Sequence, residues 1–597
     1  MNSSDKSAAK LLTRPRGLEH DSNDVLESSF PSVRTVNIAV ALVTAAILAF
    51  VLLPRIPLLE QGEVAIHNIM APYTLYIEGQ GPDQTSISLK VNKGELIVGA
   101  GQRVTERAER ILLETSQLEG IGKQFDAYLG LCVFILVFLY LFYRDIKRYR
   151  PALIADRKKM LLLAVLLLAT VMLSHAGIFV LSLVANKLHL DIMTIGFLLP
   201  VAAGAMLTSL LLDFHLALGF SFVVSILLGI LFPGEPFIPA YYFLGSITAA
   251  LSVIRCKKRT ALLKAGALTA LVNVLAIIGI DLYRGELLNR GIYDLTAGVL
   301  GAIAVSTIVS ALLPFFETVF DIATDIKLLE FLDPNQPLLK ELVYKSPGTY
   351  HHSILIGNLA EAAAEAIGEN PTLARVGSYY HDIGKIHKPE YFIENQRPTE
   401  NKHDRLMPSM SSLIIAAHVK EGVEVARAHR LPTQIIDIIQ QHHGTSLITY
   451  FYQKAKELQP FSPIAEEDYR YPGPRPRTKV AAIVMLSDSV EAASRTLDNP
   501  TLDRIQMLTS SVITRFFIDD QLSMCDLTLN DLRVISKSFN LVLTGSFHQR
   551  IDYPGMDFKG DKKHSEHQDK KHHQEKKAAN YGAPEKAHEA AAESRSS

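Results

Sequence analysis

The 597-residue chain carries 60 basic and 61 acidic side chains, a formal charge of −1, no Trp and a mean hydropathy of +0.18. That length excludes a single small domain, and the near-zero charge argues against nucleic acid as the main partner. Three cysteines, Cys132, Cys256 and Cys525, lie far apart with no CxxC pair, which speaks against a disulfide framework or a zinc-finger-like site.

Residues 1–35 are polar and of mixed charge, and read as a disordered arm. A helix needs roughly 20 apolar residues to cross a bilayer. Eight stretches read as spans: 36–54, 127–143, 160–184, 192–212, 216–233, 237–254, 262–280 and 295–316. The first is not a cleaved signal peptide on this reading, because a polar arm precedes it and Pro54-Arg55 follows without a small-residue cleavage site. The expected organisation is a first transmembrane helix (36–54), a short extracytoplasmic module (55–125) and a seven-helix membrane domain (126–316). A connector (317–345), a cytoplasmic soluble domain (346–550) and a disordered tail (551–597) follow.

Orientation follows from the basic loops. Segment 144–159 holds seven Lys or Arg and segment 255–260 holds four. With both in the cytoplasm, the N- and C-termini are cytoplasmic, and the loops 185–191, 234–236 and 281–294 lie outside. The module 55–125 shows alternation over Thr85–Val91, then KGELIVGAGQRVT (93–105), then a helical pattern over Glu106–Leu118. This predicts a small α+β module, with His67 as a surface residue. His175 and His215 fall in or beside spans with no evident partner. The spans show almost no charged residues, which weighs against a transporter.

Nine of the 20 histidines lie between His351 and His443. Seven of them sit in YHHSILIGNLAEAAAEA (350–366), YYHDIGKIHKPEYF (379–392), SLIIAAHVKEGVEVA (412–426) and IIDIIQQHHGTSLITYFYQKA (435–455). IVMLSDSVEAASR (483–495) adds Asp488 within an apolar run, where a lone carboxylate is costly unless paired or bound to a cation. Each motif reads as helical, with Gly384 ending the helix that carries His381-Asp382 and Gly444 following His442-His443. One ion needs only three or four of these ligands, so the surplus favours a binuclear site. Two divalent metals clamp a phosphate and lower the pKa of a water, which predicts phosphoester hydrolysis. The histidine-rich tail, with nine basic and seven acidic residues over 559–597, reads as solvated, although His564, His567, His572, His573 and His588 are a second set of metal donors.

The ordered set resembles an HD-domain phosphohydrolase, with His381-Asp382 as the His-Asp pair. The wider pattern is similar to the bacterial seven-transmembrane HD family of cyclic-di-AMP phosphodiesterases. The text that carries this is DPNQPLLKELVYKSPGTYHHS (333–353), HDIGKIHKPEYFIENQ (381–396), NKHDRLMPSMSSLII (401–415), YRYPGPRPRTKVAAIVMLSDSVEAASR (469–495) and segment 93–105. The resemblance implies His352, His381, Asp382, His418, His442, His443 and Asp488 as metal ligands, with Asp382 bridging two metals, Mn or Fe. It implies His381, Asp382 and Lys385 as catalytic residues, Lys385 contacting substrate phosphate. His351 reads as a neighbour, and His387, His403 and His429 as surface or supporting residues. Arg470 and Arg475 flank Pro472-Gly473-Pro474 in a rigid basic loop, either a substrate contact or a solvated linker.

No GYP motif follows His442-His443, which favours cyclic-di-AMP over cyclic-di-GMP. Segment 55–125 is shorter than the family's outside domain, and Val480 stands where the family text has an acidic residue. The expected fold is all-α in the membrane and catalytic parts. The expected protein is a multi-pass phosphodiesterase of the bacterial inner membrane that opens cyclic-di-AMP to pApA under control of its membrane half. Its partners would be the cyclic dinucleotide, the lipid bilayer, an unidentified extracytoplasmic signal and a second copy in a homodimer, with no nucleic-acid polymer. The alternatives are a catalytically silent nucleotide receptor and a cyclic-di-GMP phosphodiesterase.

Overall fold

The structure, a computed structural model, describes residues 33–546 apart from 54–58, 64, 66–68, 72–73, 81–85, 100–101, 119–120, 189–190, 255, 397–400, 462 and 498–499. His67, most of the N-terminal arm and the histidine-rich tail lie outside the described residues.

The apolar stretches form helices α1 (Val33–Leu52), α3 (Ile121–Tyr149), α5 (Arg157–Leu188), α6 (Ile192–Leu198), α7 (Ala202–Leu211), α8 (Phe214–Gly229), α9 (Ile238–Leu251), α10 (Thr260–Arg284) and α11 (Leu287–Val319). A short helix, α4 (Pro151–Ala155), links α3 to α5, and α2 (Glu106–Leu118) belongs to the module before α3. In that module β1 (Ile69–Met70) pairs antiparallel with β4 (Leu96–Val98), and β2 (Leu75–Gln80) with β3 (Ser86–Val91). Among the described residues, six helical segments are long and apolar enough to cross a membrane. The expected fourth span is α6 and α7 together, interrupted at Pro200, whose missing N–H cannot continue the ladder. Helices α8 and α9, of 16 and 14 residues, are shorter than the roughly 20 a full crossing takes.

The membrane bundle buries Phe197, Met206, Phe220, Leu227 and Tyr242, while Phe50, Phe134, Phe179 and Leu275 stay exposed on its outside. Apolar residues on both sides are what a helix between a core and lipid requires. Hydroxyls of Tyr241 and Tyr242 donate to the carbonyls of Phe197 (2.9 Å) and Gly196 (3.1 Å), satisfying acceptors freed where α6 ends.

Three expectations for the spans are corrected. Segment 281–294 is not a loop: α10 runs to Arg284, Gly285 turns the chain in a left-handed conformation (φ 71°), and α11 begins at Leu287. The helices outlast the apolar run because Gly285 supplies a backbone turn that a side chain disfavours. Charged groups are also buried in the bundle. Asp281 and Asp294 are almost fully buried, with the Thr194 hydroxyl donating to Asp294 and one Asp281 oxygen left without a partner among the described residues. His215, unpaired in the sequence reading, meets Asp145 at 2.8 Å.

The soluble part is all helical: α12 (Asp325–Glu330), α13 (Pro337–Lys345), α14 (Pro347–Ala366), α15 (Pro371–Tyr380), α16 (Pro408–Ala428), α17 (Thr433–Gln441), α18 (Thr449–Leu458), α19 (Lys479–Ser494), α20 (Leu502–Ile518) and α21 (Leu529–Ser546). Helix α19 is apolar on nearly every side because it is central: Val480 to Leu486 are all buried. Val480 sits in that core, a place an acidic side chain would leave unsatisfied. A second core gathers Tyr380, Ile383, Ile435 and Ile439 beneath α15 and α17. The histidine motifs lie between these two cores.

Candidate metal centre

His352 stands in the second turn of α14, His381 ends α15, His418 lies mid-way along α16, His442-His443 follow α17, and Asp488 lies on α19. Five helices therefore each deliver ligands to one point. Asp382 is carried there by a short 3₁₀ segment, Ile383–His387. The sequence reading gave Gly384 the role of a helix stop. Its role is instead close approach: a Cβ at Gly384 would lie 1.9 Å from the His418 carbonyl oxygen. Without a side chain there, the Asp382 segment rests directly on α16 and reaches His418.

The ring orientations are fixed from behind. Nδ1 of His381 donates to the Ser378 carbonyl (2.7 Å), Nδ1 of His418 to Ile415 (2.5 Å), and Nδ1 of His442 to Ile439 (2.7 Å). A carbonyl only accepts, so each Nδ1 holds the proton and each Nε2 presents a lone pair inward. His352 Nδ1 makes the equivalent contact with Glu491 at 2.6 Å.

Two groups of donors result. His352, His381 and Asp488 form one; Asp382, His418, His442 and His443 form the other. Asp382 reaches both: Oδ2 lies 3.2 Å from His381 Nε2 and 3.8 Å from His352 Nε2, while Oδ1 lies 3.2 Å from His418 Nε2 and 3.6 Å from His442 Nε2. Asp488 Oδ1 lies 3.0 Å from His352 Nε2, and its Oδ2 3.6 Å from His443 Nδ1.

These residues fit divalent metals. His381 Nε2 and Asp382 Oδ1 are buried with no hydrogen-bond partner among the described residues. The Nε2 atoms of His418 and His442 face each other at 3.3 Å. Lone pairs turned toward one another and toward a carboxylate repel, and a cation between them turns that repulsion into coordination. The donor set binds divalent metal; nitrogen and oxygen donors of this kind serve several transition metals.

The charges around the centre are strongly coupled. Burial raises the Asp382 carboxyl, but His381 and Lys385 outweigh it and hold it well below the usual range. Asp488 is likewise lowered, burial being outweighed by its hydrogen bond to His352. Burial pushes His352 down, yet Asp488 and Glu491 raise it to about 9. Burial lowers His442 to about 4 and takes His443 well below its ordinary value. Lys385 is raised despite burial, because Asp382 lies 2.7 Å and Glu394 2.9 Å from its ammonium.

Three further residues belong to the centre that the sequence reading did not single out. Glu491 holds His352; it follows Asp488 by three positions, so helical spacing on α19 already puts both on one face. Glu394 holds Lys385 and accepts from the Thr349 hydroxyl at 3.0 Å. Tyr471 stacks on His443 with ring centroids 4.1 Å apart. His351, His387 and His429 are exposed. His403 is buried, with Nε2 2.8 Å from the Tyr391 carbonyl. Arg470 and Arg475 are not brought to the cluster. Arg470 pairs with Glu466 (2.6 Å) and Asp519 (2.8 Å), and Arg475 pairs with Asp520.

Comparison with known proteins agrees with this architecture. Residues 125–324 match the family described as "7TM receptor with intracellular HD hydrolase", and residues 349–493 match the HD domain. The chain is 36% identical over 506 residues to the Cyclic-di-AMP phosphodiesterase PgpH of Bacillus subtilis (strain 168), covering 83% of this chain and 70% of that relative. The chain belongs to this family. It is 35% identical to the Listeria monocytogenes protein of the same name, covering 79% of this chain and 65% of that relative. The chain thus spans about two thirds of the length of these relatives. A crystal structure of the L. monocytogenes PgpH HD domain in complex with cyclic-di-AMP is 49% identical, covers 36% of this chain and 100% of that one, and has a TM-score of 0.35. With its apolar helices, this member of the family is a multi-pass membrane protein.

Proposed function

We propose that this chain is a membrane-bound, metal-dependent phosphodiesterase that hydrolyses cyclic-di-AMP to pApA. The observation that carries the site is the reach of one buried carboxylate, Asp382, to both donor groups. His352, His381, Asp382 and Asp488 would hold one metal, and Asp382, His418, His442 and His443 the other, with Mn or Fe the expected ions. When bound, the metals supply Lewis acidity toward phosphate oxygen and a water of lowered pKa.

The chain's own residues do the rest. Asp382 and Asp488 supply the negative charge that holds cations in a buried pocket. Lys385, fixed between Asp382 and Glu394, places a permanent positive charge where a phosphodiester would gain charge on attack. The Nδ1 donors keep the imidazoles in one tautomer. Hydrolysis adds water across one phosphodiester, breaks a P–O3′ bond, and leaves a 5′-phosphate and a free 3′-hydroxyl. The names of the two PgpH relatives support the substrate. The basic segments 144–159 and 255–260 support cytoplasmic termini, an inner-membrane location and delivery of the HD domain to the cytoplasmic face. The connector 317–345 joins the last membrane helix to the first metal-site helix, and through it the membrane half would set activity in response to an extracytoplasmic signal.

The test is turnover by the purified full chain with manganese or ferrous iron, offered cyclic-di-AMP and cyclic-di-GMP separately. Cleavage of cyclic-di-AMP that disappears in Asp382→Ala and His381→Ala is the expected result. Preference for cyclic-di-GMP would overturn the substrate, and tight binding without cleavage would make the protein a receptor.

A further inference from the structure

The membrane bundle contains an apolar crevice that catalysis does not use. It lies between α1, α3 and α5, has a volume of about 430 Å³, and is walled by side chains including Ala41, Leu139, Phe142, Leu163 and Phe220. Ile38, Leu42 and Tyr140 on its rim are 52%, 52% and 56% exposed, so the crevice opens sideways, toward lipid. Its lining follows α1 from Arg34 to Thr44. That run of helix is about 15 Å long, close to half of a hydrocarbon core about 30 Å thick.

The Arg34 end continues into a second depression. The two share Arg34, Tyr140 and Tyr143, and the second adds Arg144, Lys147 and Arg148. Nearby cations are already ion-paired, Arg150 with Asp213 at 2.9 Å and Lys159 with Asp156 at 3.3 Å. Among the described residues, Arg34, Arg144, Lys147 and Arg148 have no carboxylate partner. The acid lining the depression, Asp145, is turned to His215. The mouth is also held in place: Asn37 is buried, and its amide donates to the Ile154 carbonyl at 3.1 Å, which sets Arg34, one turn earlier on α1, beside the basic end of α3.

We propose that this crevice is a binding site for an anionic phospholipid, with an acyl chain along α1 and the headgroup phosphate among Arg34, Arg144, Lys147 and Arg148. A zwitterionic lipid fills the apolar part equally well but brings no net negative charge to four cations that lack a carboxylate partner among the described residues. Basic pockets between membrane helices recognise anionic headgroups on this principle. The proposal rests on the chain spanning a membrane and not on its catalytic chemistry.

The test is native mass spectrometry of the full chain in detergent, mixed with phosphatidylglycerol and phosphatidylcholine of matched acyl chains. The unaltered chain is expected to retain one phosphatidylglycerol at least tenfold better than phosphatidylcholine. Changing Arg34, Arg144, Lys147 and Arg148 together to Gln should bring the two lipids near parity. Ala41→Phe, which fills the crevice and keeps every charge, should reduce retention of both. Arg290→Gln, at the opposite end of the bundle, should change nothing. Equal retention of both lipids by the unaltered chain, or undiminished phosphatidylglycerol retention in Ala41→Phe, would overturn the proposal even if the fourfold variant fails to fold. Cyclic-di-AMP turnover measured on the same samples reports on the catalytic reading separately.

Discussion

The Lys385 ammonium lies 2.7 Å from Asp382 Oδ2, on the side of the carboxylate that also faces His381. The lysine is thus poised beside the carboxylate proposed to bridge two metals, without being a metal donor itself. Lys385→Ala should leave the metal content unchanged while turnover falls about 10²–10³-fold, the usual loss when one charge-stabilising donor is removed. Metal analysis and kcat on the same preparation decide this. Loss of metal together with activity would make Lys385 a structural support instead.

Glu394 holds the other side of Lys385 at 2.9 Å and is itself only slightly exposed. Glu394→Gln keeps the shape and removes the charge. Among the described residues Lys385 then keeps only Asp382 as an ionic partner, and its position loosens. A fall in kcat smaller than that of Lys385→Ala, about tenfold, is expected, with metal content intact. A double variant no worse than Lys385→Ala alone would place Glu394 upstream of the lysine, since residues acting through one another are not additive.

Metal removal should affect stability as well as activity. Without cations, the lone pairs of His381, His418 and His442 crowd a buried carboxylate. A ligand present at 100 times its Kd stabilises a fold by about 2.7 kcal/mol. A chelator should therefore lower the unfolding midpoint and abolish turnover, and manganese or iron should restore both. Asp382→Ala should show no response of the midpoint to metal.

The clustering of these side chains was legible in the sequence because they sit in short helical motifs: an adjacent His-Asp pair, an adjacent His-His pair, and an aspartate inside an apolar run. What supports them was harder to read. Glu394 lies in the stretch between Lys388 and Gln396, where three-residue 3₁₀ turns give no periodic pattern to follow. Tyr471 sits in a proline-rich loop, and only the fold shows that its ring stacks on His443. In the membrane, the end of the apolar run at Asp281 looked like a boundary, yet α10 continues through it and buries the carboxylate. Composition marks where lipid ends; it does not mark where a helix packed among other helices stops.

Gly384 should tolerate no side chain. Its Cβ would meet the His418 carbonyl oxygen at 1.9 Å, and backbone rather than a movable side chain is in the way. Gly384→Ala must push the Asp382 segment off α16, lengthening the Asp382–His418 approach. Overpacking of this kind costs about 1–3 kcal/mol or more. The expected outcome is a lowered unfolding midpoint and sub-stoichiometric metal. Unchanged metal content and activity would show that the segment can shift without cost.

Arg470 and Arg475 separate the two readings of the basic loop. Arg470 is clamped by Asp519 and Glu466 and also donates to the Thr445 carbonyl at 2.8 Å, which ties the loop to α20 and to the chain just after His443. The Arg470 hydrogen bond lowers the Asp519 carboxyl below its ordinary value of 3.8. A carboxyl depressed in the folded state stabilises the fold above its unfolded value. That contribution is present in full above about pH 4 and is lost as pH falls through the lower folded value. Asp519→Asn should therefore reduce stability at pH 7 by about 1 kcal/mol, the scale of a partly exposed ion pair, and the difference from the unaltered chain should shrink on acidification below pH 4. If Arg470 is a strut, Arg470→Ala lowers the unfolding midpoint with KM for cyclic-di-AMP unchanged. A raised KM at an unchanged midpoint would instead make it a substrate contact.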